Sequence, residues 1–103
     1  MNGNFTRVNR QGGGDRIRVE GWLSWDPAEQ GAEAELSISV TQNTVTATGS
    51  GHAKFGDAGW QVDIDLNGDT FSQGIASGVA GAVVTIGNSS TSQSWLSGPI
   101  PVN

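Results

Sequence analysis

The chain reads as an all-β protein: an antiparallel β-sandwich of about seven strands, with a small antiparallel β-barrel as the alternative. Three observations carry that reading. In Trp60-Gln61-Val62-Asp63-Ile64-Asp65-Leu66 every even position is apolar and every odd one polar, and since successive side chains on a strand point to opposite faces, the segment has one dry and one wet side. The same alternation recurs at 15–25 and 33–41, with turn-forming residues between the runs. The 103 residues suit a single domain. Their Leu, Ile, Val and Phe together number 22, so the core must lean on Ala and on Trp22, Trp25, Trp60 and Trp95, because one aromatic side chain buries roughly 150–250 Å².

Residues 1–14, ending in Gln11-Gly12-Gly13-Gly14, read as a flexible N-terminal arm, and residues 15–103 as the β domain. Asp15 to Trp25 is the first expected strand, with Ile17, Val19, Gly21, Leu23 and Trp25 on one face and Arg16, Arg18, Glu20, Trp22 and Ser24 on the other. Asp26-Pro27-Ala28-Glu29 is a helix-start signal with a capping-box acid at its third position, stopped within a turn by Gly31. Glu33 to Thr41 follows as a strand with Ala34, Leu36, Ile38 and Val40 inward; Gln42-Asn43 reads as a tight turn, and Thr44 onward as a strand reaching toward Phe55.

After the turn at 56–59 and the strand to Leu66, Asn67-Gly68 is a strong hairpin signal, with the return strand expected from Thr70. Segment 71–86 has two readings. Ile75, Val79 and Val83 recur at helical spacing, and Gly74 with Gly78 form a GxxxG. The glycines weaken a helix and Val83-Val84-Thr85-Ile86 favours a strand, so a long strand bent at its glycines is expected, with a helix as the alternative. Gly87 to Ser92 reads as a loop, Gln93 to Ser97 as a short last strand, and Gly98-Pro99-Ile100-Pro101 as the end of regular pairing.

The net charge of −5 argues against general nucleic-acid affinity. Residues 1–18 carry +3 and residues 19–103 carry −8. A basic leading end on an acidic body suggests docking between copies; the plainer expectation is that Arg16 and Arg18 face acids across the sheet. No cysteine is present, so disulfides and Cys-based zinc sites are excluded while the compartment stays open. The polar N-terminus has no apolar signal-peptide core, and 74–86 falls short of the ~20 residues a membrane helix needs.

Asp63, Asp65, Asn67 and Asp69, in D-x-D-x-N-G-D, resemble the opening of an EF-hand-type calcium loop. The twelfth position, where that loop needs a bidentate Glu, is Gly74, and the flanks read as strands, so calcium is a weak candidate and no other cofactor is expected. The lone His52 has no nucleophile signature beside it. Asp63, Asp65, Glu33 and Glu35 offer pairs for glycoside hydrolysis, but alternating acids on a wet strand face are ordinarily solubilising. Asn4-Phe5-Thr6 and Asn88-Ser89-Ser90 match the N-glycosylation pattern and are assigned no role.

Tryptophan is the better lead. Trp25 and Trp60 fall on apolar faces, whereas Trp22 lies on a polar face and Trp95 stands beside Gln93 and Ser94. An exposed Trp is a rigid platform for a sugar ring or a partner surface. The expectation is therefore a non-enzymatic binding domain that recognises a carbohydrate or protein surface through Trp22 and Trp95. The alternatives are a self-assembling subunit, a homo-oligomer joined through the Gly/Ala/Val-rich segment 74–86, and a small barrel holding a hydrophobic ligand.

Overall fold

The computed structural model describes residues 1–103, the side chain of Leu96 excepted. It is all-β. Seven strands, β1 (Asn2–Gln11), β2 (Arg16–Ser24), β3 (Glu33–Gln42), β4 (Val45–Lys54), β5 (Gly59–Asp65), β6 (Gly74–Ile86) and β7 (Ser89–Val102), form one sheet in the order β4-β3-β6-β7-β1-β2-β5. Neighbours are antiparallel except β1 and β7, which run parallel through Val8 and Val102. The sheet curls until its edge strands β4 and β5 come into contact without forming a ladder. Of the two architectures the sequence admits, a single sheet curled almost to closure matches the barrel. The body measures 41 × 22 × 20 Å, and among the described residues no helix is long and apolar enough to cross a membrane.

Period-2 alternation explains most of the interior. Ile17, Val19 and Leu23 of β2, Ala34, Leu36, Ile38 and Val40 of β3, and Trp60, Val62 and Ile64 of β5 are all buried. Phe5 and Trp60 meet edge to face at 5.3 Å between ring centroids. Trp25 is half-buried against the core, packs on Phe55, and donates its indole N–H to the Asp57 carbonyl at 2.9 Å. The helix-start signal is present as a single 3-10 turn, Pro27–Glu29, closed by the expected capping box between Asp26 and Glu29.

Three expectations are corrected and one is met. Residues 2–11 are not a free arm: they are β1, paired along β2, with Val8 wholly buried and Phe5 nearly so. The glycines that follow adopt φ of +57°, +83° and +98° at Gly12, Gly13 and Gly14. They make the tight reversal from β1 into β2 by entering left-handed backbone regions that residues with a side chain rarely adopt. Asn67-Gly68 does turn, with φ of +53° and +100°, but makes no hairpin, because β5 pairs only with β2 and the chain crosses to place β6 between β3 and β7. Segment 74–86 is the long strand expected, and not the alternative helix. The last strand does not stop at Ser97; β7 runs to Val102. Pro99 is tolerated because the register of β6 against β7 shifts between Ala76 and Gly78, so the proline falls where no ladder N–H is required.

Candidate functional site

The outer face of β1–β2–β5 gathers Arg7, Arg16, Arg18, Glu20, Asp63 and Asp65. Across β2 and β5, Arg16 stands opposite Asp65, Arg18 opposite Asp63, Glu20 opposite Gln61 and Trp22 opposite Gly59. On the other side β1 places Asn9 opposite Arg18, Arg7 opposite Glu20 and Asn4 opposite Trp22. Within the basic end, Arg7 and Arg18 contact acids of their own sheet. Arg18 donates from Nε to Asp63 at 2.8 Å, and that hydrogen bond from the guanidinium holds the Asp63 carboxyl below the usual carboxylate range while raising Arg18.

Trp22 is exposed at 43% of its surface. The cause is local: its cross-strand partner Gly59 has no side chain to lean on it. Beside it lies an open depression of about 380 Å³ lined by Thr6, Arg7, Glu20, Gly21, Gly59, Trp60 and Gln61. A register shift between Phe5 and Arg7 bulges β1 at this point, and a bulge re-aims side chains next to the strand it distorts. Glu20 is held in place by Asn9, whose amide donates to it at 2.6 Å, with the Arg7 Nε 3.8 Å away. The indole N–H of Trp60, which lines the same depression, is buried with no hydrogen-bond partner. The arrangement offers a flat aromatic face next to a carboxylate, a guanidinium and a carboxamide. Such a set can stack on an apolar ring face and hydrogen-bond the hydroxyls at its edge.

Trp95 is not part of it. It is 9% exposed and points into the barrel from β7, opposite Ala80, whose short side chain leaves room for the indole. Its neighbour Ser94 lies on the other parity of the strand and says nothing of its environment, while Gln93, on its own parity, is half-buried. Asp63, Asp65, Asn67 and Asp69 do not converge either. Asp63 is committed to Arg18, and Asp65 accepts the Asn67 backbone N–H at 2.9 Å in an Asx turn. Among the described residues no cluster of three or more His, Cys, Asp or Glu side chains is placed to hold a metal. His52 is exposed, its Nε2 4.0 Å from Glu35, with no nucleophile bonded to it.

Glu20 and Trp22 were legible as neighbours on one strand face. Gln61 was not, since its register joins β2 to a strand about 40 residues away in sequence, and Arg7 and Asn9 were not, since β1 reads as a free arm. Comparison with protein-family models, curated proteins and solved structures finds no match to this chain.

Proposed function

We propose that this chain is a carbohydrate-binding domain that works without chemistry, with Trp22 as the stacking platform and Glu20, Arg7 and Gln61 as hydroxyl partners. The observation that carries the reading is Trp22 itself: a large aromatic ring left 43% exposed beside a depression lined by its strand neighbour Gly21 and its cross-strand partner Gly59. A pyranose presents a face of C–H groups and a rim of hydroxyls, and each of the two finds its complement here. Hydrolysis is disfavoured by the same geometry. Glu20 is engaged by Asn9 and Arg7, and Asp63 is held ionised by Arg18, so neither is poised as a general acid. A hydrophobic-ligand barrel is disfavoured because the interior is occupied by Phe5, Trp60, Phe71 and Trp95.

The test is retention on a panel of immobilised polysaccharides, followed by titration of tryptophan fluorescence with oligosaccharides of any glycan that retains the chain. Trp22→Ala is expected to abolish retention while changing stability by no more than ~0.5 kcal/mol, as for an ordinary surface position. Absence of retention on every glycan, or retention untouched by Trp22→Ala, overturns the reading.

A further inference from the structure

We propose that the outer face of β4–β3–β6–β7, remote from Trp22, is an interface with a second copy of this chain. The starting observation is that β6 is packed the wrong way round for a strand that faces water. Its inward positions are Ala76, Gly78, Ala80, Ala82 and Val84, four of the five small, while Ile75, Val79 and Val83 point outward and are 65%, 48% and 44% exposed. The small inward residues have a reason within the fold, since Trp95 stands opposite Ala80. The outward aliphatics have none: Val79 has Ser39 beside it on β3, Val83 lies between Glu35 on β3 and Ser92 on β7, and the outward Gly81 between them is flanked by Ser37 and Ser94. A row of exposed β-branched residues is costly to leave wet when hydroxyls would serve.

Charge identifies the occupant. The chain carries −5, so any surface that meets its own copy must keep acids apart. The centre of this face has none. Around Val79 the described exposed side chains are hydroxyls and aliphatics, and the charged groups Glu33, Glu35, His52 and Lys54 lie together at the Val83 end of β3 and β4. A two-fold axis near Ser39 sets that end of one copy against the Ile75 end of the other, with Glu35 at the rim level with Ile75, so the acids of the two copies lie at opposite ends of the contact and like charges never meet. Shape agrees. Val79 is a ridge between two shallow hollows, one of about 440 Å³ reaching to Ser77 and Gly98 and one of about 530 Å³ reaching to Ser50 and Gly81. Under that symmetry the ridge of each copy enters a hollow of the other. Four strands about 4.8 Å apart and about ten residues long give an outline on the order of 600 Å², which meets the lower bound of roughly 600 Å² per partner for a specific interface.

The test is sedimentation equilibrium of the chain from about 10 µM to 1 mM, at low salt and in 1 M NaCl. The expected result is a species of twice the 10.6 kDa monomer that persists in high salt, because no ion pair holds it. Val79→Glu is expected to leave a monomer at every concentration. The paired Val79→Thr and Val83→Thr substitution, which keeps β-branching and so keeps the strand, is expected to weaken association at least about tenfold. A monomer throughout, a dimer dissolved by salt, or a dimer indifferent to the threonine pair overturns the proposal. In the second case charge docking of the basic strand is the better account. Each readout is independent of any glycan.

Discussion

Gly21 lies flat against the indole of Trp60: a β-carbon built at position 21 would overlap both that ring and the carbonyl oxygen of Asn4. This contact sets the floor of the depression beside Trp22, because it lets a core tryptophan rise to the level of the β2 backbone. Gly21→Ala must displace the ring or part β2 from β1, and neither is a flexible side-chain tip. We expect a loss of at least about 3 kcal/mol, at the upper end for overpacked interiors. Urea unfolding followed by tryptophan emission reads it, and an unchanged midpoint would show that Trp60 does not sit there.

Gln42 is the buried polar side chain of the described interior, 8% exposed. Its amide donates to the Ser72 carbonyl at 2.7 Å and its Oε1 accepts the Ser72 N–H at 2.7 Å. It thereby ties the crossing segment between β5 and β6 to the end of β3. Gln42→Ala strands both Ser72 groups and is expected to cost about 1–3 kcal/mol. Gln42→Glu replaces the donor with a carboxylate facing carbonyl oxygens, so burial and repulsion would raise its folded pKa above the unfolded value of ~4.3. The penalty should therefore grow as pH rises from 4 to 7 and shrink below it, where the protonated acid can donate. Denaturation of both variants at the two pH values checks the sign.

How much of this was legible in the sequence depended on parity. Trp22 could be placed on the wet face because β2 alternates without interruption from Arg16 to Ser24. The strand β1 could not be seen, because its core residues Phe5 and Val8 are three apart: the bulge between Phe5 and Arg7 breaks the period of two. Trp95 was misread for the opposite reason, since the inward role of a residue among serines is set by its partner Ala80 and not by its neighbours. Phe71 was hidden altogether. It belongs to no strand, yet it is 1% exposed and its N–H donates to Gly14, so no periodicity marks it.

Asp63 supplies a pH signature for the outer face. Its folded pKa is lowered by the hydrogen bond from Arg18. A depressed carboxylate contributes stability above its unfolded value of ~3.9, and that contribution is lost as pH falls through the lower folded value. The stability difference between the native chain and Asp63→Asn should be level from pH 5 to 8 and close below pH 4. Because the pair is exposed, the difference should also shrink in 1 M salt. A gap that persists at pH 2 would mean that Asp63 acts through something other than its charge.

The seam between β4 and β5 closes the barrel without a ladder, and packing alone must hold it. At its middle a β-carbon on Gly49 would stand 2.8 Å from the Cγ1 atoms of both Val62 and Ile64. The glycine of one edge therefore accepts the branched side chains of the other. Gly49→Ala alone should cost about 1–3 kcal/mol through crowding, and Val62→Ala alone should cost a similar amount through the cavity it opens. Together they exchange volume across the seam, so the double variant should be more stable than the sum of its parts by about 1 kcal/mol or more. Thermal unfolding of the four proteins completes the cycle. Strict additivity would mean that the two edges do not touch at this point, and that the sheet is open where its interior residues require it to be shut.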